Sequence, residues 1–295
     1  MSKQQIKKII ENKISENRVS ADGMFETGVK GVKLFQVTRA IHCAPAVYEP
    51  AIVAIVNGSK EAILDGKRYV YGSHQYLCCT MLMPLETGAP AASLKKPLIG
   101  VYISLDTRVM TELAIEMDSV AGVIRKSTGE PQPKGISLAR WDDTFTEALL
   151  RLLQLGKSHT DTSILGSSRL REVYYAVIKG DAGNCVRQAF GVGNEIARAI
   201  EYLSRHLQEA ITIEDMATQV GMSRAVFHRK FKQATTMSPI QFIKAMRLNN
   251  AAVKISEGMN VNEAAMEVGY ISSSQFSREF KRMYGQSPKR WAQSE

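Results

Sequence analysis

An internal repeat constrains this 295-residue chain more than any other feature, because one short pattern occurs twice within residues 213–288. Each copy has an alanine, a valine–glycine pair, two phenylalanines four residues apart and a serine–proline pair. The first copy has Ala217, Val220-Gly221, Phe227, Phe231 and Ser238-Pro239, and the second has Ala265, Val268-Gly269, Phe276, Phe280 and Ser287-Pro288. The turn is one residue longer in the second copy. The repeat predicts two copies of one small helical unit.

The pattern within each copy predicts a helix-turn-helix. A short helix is expected to end at the glycine, because helices commonly end at a residue in the left-handed conformation and glycine adopts it readily. The phenylalanines at i and i+4 share one face of the second helix and bury it. Ser223 and Asn262 are expected as N-caps, and Thr212 with Asp215 resembles a capping box. A helix of about 18 residues from Pro239 joins the units, which gives a rod near 27 Å long.

The face opposite the phenylalanines carries basic and amide side chains in both copies. Arginine can bind guanine O6 and N7 and glutamine can pair with adenine, while later lysines and arginines suit phosphates. A basic face on one short helix is commonly just solvated, but the same face in both copies favours DNA. The net charge of +9 also fits an anionic partner. The candidates are Arg224, Ala225, His228, Arg229 and Lys232, then Ser274, Gln275, Arg278, Lys281 and Arg282.

Residues 28–105 have the alternation and turn residues of short β-strands. Asp65-Gly66 between two apolar runs predicts a hairpin, and residues 84–97 are expected to form a loop. Residues 127–135 are expected as a second loop. Helices are predicted over 107–118, 141–155 and 163–178, either capping the β-module or pairing two subunits in a homodimer. The predicted fold class is α+β, with an antiparallel barrel or sandwich followed by helices.

The repeat residues, together with Arg247-Leu248, Ala251, Met222-Ser223 and Gly285, resemble the C-terminal signature of AraC-type bacterial transcription regulators. The resemblance implies two helix-turn-helix units on a long helix, promoter double-stranded DNA as the partner and RNA polymerase as a candidate partner. It places base contacts at Ala225, His228 and Arg229, and at Ser273, Ser274, Gln275 and Arg278. Ala225 departs from family members that have a large side chain there.

The N-terminal part is similar to the effector domain of one branch of that family, through Tyr48-Glu49-Pro50, residues 56–60, 72–76 and 171–175, and Gly180. The resemblance implies a cupin-like β-barrel with following helices and an unknown small-molecule effector. The expected division is an N-terminal helical arm over 1–27, an effector and dimerisation domain over 28–190, and a double helix-turn-helix domain over 191–295. The candidate effector-binding residues are Tyr48, Glu49, Tyr76, Cys78 and Met81.

Two alternative functions are open to a chain with this sequence. A cupin-type metalloenzyme would need a His-x-His pair, whereas His42, His74 and His159 stand apart. We therefore expect no metal, no cofactor and no enzymatic activity. A thiol-based sensor would use Cys78 or Cys79, although no CxxC pair is present among the four cysteines. No signal peptide and no apolar run of about 18 residues is visible, so a cytoplasmic protein without membrane contact is expected.

Overall fold

A computed structural model describes residues 2–16, 22–120, 135–191, 195–209 and 211–293. The strands are β1 Gly23–Glu26, β2 Val32–Val37, β3 Ile41–Tyr48, β4 Ala51–Asn57, β5 Ser59–Leu64, β6 Lys67–Gly72, β7 Gln75–Cys79, β8 Met83–Ala89, β9 Leu98–Ser104 and β10 Ile136–Arg140. The helices are α1 Ser2–Glu16, α2 Thr107–Val120, α3 Asp143–Gln154, α4 His159–Lys179, α5 Gly183–Phe190, α6 Glu195–Arg205, α7 Ile213–Gln219, α8 Arg224–Thr235, α9 Pro239–Ser256, α10 Val261–Glu267, α11 Ser273–Tyr284 and α12 Pro288–Trp291, with a 3-10 turn at Leu155–Lys157.

The strands form two antiparallel sheets of a cupin-like barrel. One sheet has the order β1-β2-β9-β4-β7-β10 and the other β3-β8-β5-β6. The Asp65-Gly66 hairpin is confirmed, since both residues have the positive φ of a tight turn between β5 and β6. β10 was not predicted, and the loop expected over 127–135 lies outside the described residues except for Gly135.

The expected loop over 84–97 is wrong in its first part, because β8 lies there between β3 and β5. A proline near the start of the run suggested a loop, since proline donates no hydrogen bond to a sheet. Pro84 is tolerated because β5 pairs only with residues 86–88 of β8. The missing N–H therefore costs no bond to β5, and Pro84 lies opposite Val47 of β3.

The helices that follow the barrel cover the outer face of its six-stranded sheet. Phe145 of α3 stacks on Tyr76 of β7 with ring centroids 4.7 Å apart. Helix α1 joins the same core, because Ile6, Ile10 and Ile14 lie on one face and are buried. The alternation of β7 points Cys78 into this helical layer and Cys79 into the barrel interior.

Most helix ends in the C-terminal part follow the sequence signals. Thr212 and Asp215 form a complete capping box, and Ser223 caps α8. The prediction of Asn262 as the cap of α10 is wrong. Asn260 takes that role, and its Oδ1 accepts the backbone N–H of Asn262 at 2.8 Å. The helix starts two residues earlier than its acidic first turn suggested.

The two glycine turns differ in how strictly they require glycine. Gly221 and Gly269 both have a positive φ, 68° and 85°. A Cβ on Gly269 would also lie 2.6 Å from the carbonyl oxygen of Leu207, whereas one on Gly221 would meet open space. At the ends of the second helices, Gly285 has its counterpart in Thr236, a β-branched residue with a φ of 66°. The first copy therefore carries backbone strain that the second avoids.

The barrel docks on α9 through one buried polar side chain. Asn249 is 0% exposed, and its Nδ2 donates to the carbonyl oxygens of Ala46 in β3 at 2.9 Å and Leu85 in β8 at 3.2 Å. The hydroxyl of Tyr284, at the end of α11, donates to Asn249 Oδ1 at 2.5 Å. One amide thus joins the barrel, the linking helix and the second helix-turn-helix unit.

We expect Asn249→Ala to lower the free energy of unfolding by about 2 kcal/mol or more, because a buried group left without a hydrogen bond costs about 1–3 kcal/mol. Denaturant unfolding measures this loss. The control is Asn250→Ala, since the Asn250 amide donates only to Met246 within its own helix. Equal losses in the two variants would contradict the role given to Asn249.

Candidate nucleic-acid interface

Helices α8 and α11 are held in place by the repeated phenylalanines. Phe227, Phe231, Phe276 and Phe280 are each 0% exposed. The ring centroids are 5.4 Å apart in both pairs. The two units therefore share one internal framework, and each turns the opposite face of its second helix outward.

All eleven predicted DNA-binding side chains are exposed, and all but Arg224 and Ser273 point away from the phenylalanines. They are Arg224, Ala225, His228, Arg229 and Lys232 on α8, and Ser273, Ser274, Gln275, Arg278, Lys281 and Arg282 on α11. Arg224 is partly ordered by an ion pair with Glu214 of α7, with Nη1 and Oε1 2.6 Å apart. Helix α8 contains no acidic residue, so its other basic side chains have no carboxylate partner on their own helix. An exposed cationic face suits phosphate and base-edge contacts.

The second unit contains a carboxylate that sequence reasoning missed. Glu279 of α11 accepts hydrogen bonds from Lys244 Nζ at 2.8 Å, Tyr270 Oη at 2.8 Å and Gln275 Nε2 at 3.4 Å. Burial raises the pKa of Glu279, but these three donors outweigh it and leave that pKa below its usual range. Its counterpart in the first copy is Lys230. Aligning the repeats by their phenylalanines would have revealed this reversal of charge.

The structure separates the five candidate effector-binding residues. Tyr76 and Cys78 are buried under the helical layer, and Tyr48 is bonded to Thr87 on the four-stranded sheet, with the hydroxyl oxygens 3.0 Å apart. Glu49 and Met81 instead line one cleft. Two of the five residues therefore meet at a common surface.

The cleft that Glu49 and Met81 line lies between the barrel, α2 and α6, and has a volume of about 810 Å³. Its apolar lining includes Leu82, Leu105, Ile115 and Phe190. Two arginines stand at its walls, Arg108 on α2 and Arg198 on α6. Within the described ranges neither guanidinium takes part in an ion pair. The cleft thus combines an apolar floor with two arginines and with the carboxylates of Glu49, Glu112 and Glu201.

The histidines do not converge on a metal site. His74 packs edge-on against Trp141 with ring centroids 5.5 Å apart, away from the exposed His42 and His159. In the part of the chain that the structure describes, no three His, Cys, Asp or Glu side chains are grouped to hold a metal ion. Within the same residues, no helix is both long enough and apolar enough to cross a bilayer.

The adjacent cysteines are poor nucleophiles in this fold. Cys78 and Cys79 are each 0% exposed. Burial raises the pKa of Cys79 to about 12, and it raises the pKa of Cys78 well above its usual value. Because the thiolate is the reactive form, neither group is primed for oxidation or alkylation. Cys43 and Cys185 are only partly buried.

Two helix-turn-helix units with exposed basic helices, joined by one helix and docked on a cupin-like barrel, define a bipartite DNA-binding architecture. Residues 28–185 match the family of AraC-type transcriptional regulator N-termini, and residues 216–294 match a helix-turn-helix domain. The chain belongs to the AraC-type transcriptional regulators.

Individual relatives match about a third of the chain. The chain is similar to the probable transcriptional regulator LumQ of Photobacterium leiognathi, 31% identical over 91 residues that cover 30% of this chain and 37% of LumQ. It is also similar to the regulatory protein SoxS of Salmonella typhimurium, 30% identical over 94 residues that cover 32% of this chain and 88% of SoxS. The match to LumQ thus spans little more than a third of that relative.

The similarity extends over the whole fold in one solved structure, ToxT of Vibrio cholerae. The TM-score is 0.57 at 11% identity, with 88% of this chain and 97% of ToxT covered. At that identity the likeness establishes the fold. It shows that the order of barrel, helical layer and double helix-turn-helix recurs in another protein.

We expect alkylation of the native protein at pH 8 to modify Cys43 and Cys185 well before Cys78 and Cys79. A thiol with a pKa near 12 is ionised to only about one part in ten thousand at that pH. Mass spectrometry after a timed iodoacetamide reaction locates the modified residues. In guanidinium chloride all four cysteines should react. Rapid native labelling of Cys78 or Cys79 would revive the thiol-sensor alternative.

Proposed function

We propose that this protein is a cytoplasmic transcription regulator that binds promoter DNA sequence-specifically, with α8 and α11 in successive major grooves. The observation that carries the proposal is the repeated framework, in which buried phenylalanine pairs of equal geometry leave a basic face exposed on both helices. A structural role alone does not require cations on the same face of both copies.

The linking helix supports the use of two grooves by one chain. Helix α9 has 18 residues, which at about 1.5 Å per residue give a rod near 27 Å long. Major grooves recur on one face of DNA about every 34 Å. The first unit precedes this rod in the chain and the second follows it, so we propose that the rod spaces the two recognition helices for successive grooves. Because their exposed side chains differ, the site for one chain is asymmetric.

The cleft lined by Glu49 and Met81 is the proposed effector site. It contacts both the barrel and α6, so a bound molecule would touch both parts of the protein. Its apolar floor suits a small molecule with an apolar body. Because Glu112 and Glu201 at the cleft are paired with Arg171 and Arg205, the guanidinium groups of Arg108 and Arg198 are the groups that would take an anionic end. ToxT has the same fold, with a TM-score of 0.51 in a structure described as bound to an unsaturated fatty acid, which is one example of that chemistry.

The remaining parts of the proposal concern assembly and chemistry. The named relatives are regulators, and we propose regulation rather than catalysis for this chain.

Helix α4 leaves apolar surface exposed at Ile164, Leu165 and Tyr175, which supports a homodimer through the helical layer. RNA polymerase is the proposed partner at the promoter. The proposed division is an arm over 1–27, an effector domain over 28–190 and a DNA-binding domain over 191–295.

We expect Arg229→Ala and Arg278→Ala each to weaken binding to a selected DNA site by about 1–3 kcal/mol and to change binding to random DNA little, as for base contacts. The log–log salt slope should be about −0.9 per phosphate neutralised. Fluorescence-anisotropy titration at several salt concentrations measures both quantities. The control Lys281→Ala should weaken both DNAs equally. Equal losses on both DNAs for the arginine variants would assign those arginines to phosphates.

We expect sodium decanoate, used as a probe with an apolar tail and a carboxylate, to raise the melting temperature of the full chain. Arg198→Ala should remove most of that shift, because it deletes a cation at the cleft wall. The control is Arg169→Ala on α4, since Arg169 pairs with Glu172 on its own helix and neither residue lines the cleft. Equal shifts in the two variants, or no shift in the wild type, would place the effector elsewhere.

A further inference from the structure

The Gln275 side chain is held by a carboxylate on its own helix. Gln275 is exposed near the start of α11, and its Nε2 donates to Glu279 Oε1 at 3.4 Å. A carboxylate at neutral pH accepts hydrogen bonds and donates none. Rotating the amide by half a turn would bring the Gln275 oxygen against the Glu279 carboxylate. Glu279 therefore favours one of the two amide orientations.

Glu279 is itself fixed from two other directions. Lys244 of α9 and Tyr270 of the turn donate to its two carboxylate oxygens, each at 2.8 Å. The side chain of Glu279 is only 13% exposed. Its position is therefore set by the linking helix and the turn as well as by α11. A carboxylate anchored in this way is a rigid support for a neighbouring amide.

The favoured orientation has a consequence for base recognition. With one N–H of Gln275 directed at Glu279, the other N–H and the carbonyl oxygen are left as an adjacent donor and acceptor. Adenine presents the complement in the major groove, an N7 acceptor beside an N6 donor. Guanine presents two acceptors, N7 and O6, which the held amide matches with only one donor. An amide free to rotate would discriminate less between these bases.

We propose that Glu279 is a positioning residue that sets the base preference of Gln275 to adenine over guanine. The proposal rests on the proposed function, in which α11 enters the major groove and Gln275 contacts a base edge. The first unit cannot use the same device, because the equivalent position holds Lys230, whose Nζ lies 3.9 Å from a carboxylate oxygen of Glu195 on α6. The device therefore distinguishes the two halves of the DNA site.

The experiment is selection of bound duplexes from a random library by the full chain, read by sequencing, followed by titration of duplexes with single base-pair exchanges. Gln275→Ala identifies the base pair that Gln275 contacts. At that pair, Glu279→Gln should lower the preference for adenine over guanine by about fivefold or more. A good bidentate contact discriminates against the wrong base by about 1–3 kcal/mol, which corresponds to about fivefold or more in affinity. Preferences at other positions and the salt slope should stay unchanged.

Glu279→Gln keeps the size of the side chain but can donate to the Gln275 oxygen, so it permits the second amide orientation. Glu279→Ala removes the support and should relax the same base pair. The matched control is Glu267→Ala, which deletes another carboxylate that joins a helix of this unit to α9, through Lys254 at 2.6 Å. It should leave every base preference intact. Thermal melting verifies that each variant is folded.

The outcomes separate the two levels of the proposal. If Gln275→Ala changes no base preference, Gln275 contacts no base, and both its role and that of Glu279 are lost. If Gln275→Ala relaxes one base pair and neither Glu279 variant does, only the positioning role of Glu279 fails. A uniform loss at all base pairs in the Glu279 variants would also overturn it, because that pattern indicates a structural role.

Discussion

The placement of the second helix-turn-helix unit against the barrel depends on the hydrogen bonds of Asn249. A buried amide has two donors and one acceptor group to satisfy, and here the barrel supplies two carbonyl oxygens while Tyr284 supplies a hydroxyl. Apolar contacts alone tolerate sliding of one surface on another, whereas these bonds fix a single register between the sheet and α9. The barrel and the second helix-turn-helix unit thus share one reference point on the linking helix.

The sequence carried most of the information about the C-terminal half, because its signals are local. Glycine turns, serine and threonine caps and the i, i+4 phenylalanines each act within one helical turn, and the structure confirms nearly all of them. The sequence predicted a β-barrel but not all of its strands. β8 and β10 were missed because the pairing of Pro84 and Ile136 depends on distant strands, which no local pattern encodes.

The candidate sites show the same division between local and distant information. Exposure of most of the predicted DNA-binding side chains follows from helix periodicity, whereas Ser273 was named through the family resemblance. The effector candidates were chosen by residue type and position in the barrel, and the structure buries Tyr76 and Cys78 under the helical layer instead of beside Glu49. The cleft needs α6 as one wall. A wall from another part of the chain cannot be inferred from the strands.

The two helix-turn-helix units differ in where their cores lie. The core of the first unit, with Phe227 and Phe231, is continuous with the barrel interior through residues such as Met83 and Leu85. The second unit encloses a separate small core around Phe276 and Phe280. Cooperative unfolding follows such cores rather than sequence repeats. We therefore expect the second unit to open while the first stays folded with the barrel, once the hydrogen bond from Tyr284 to Asn249 is broken. Half of the predicted DNA-binding surface would then have a stability of its own.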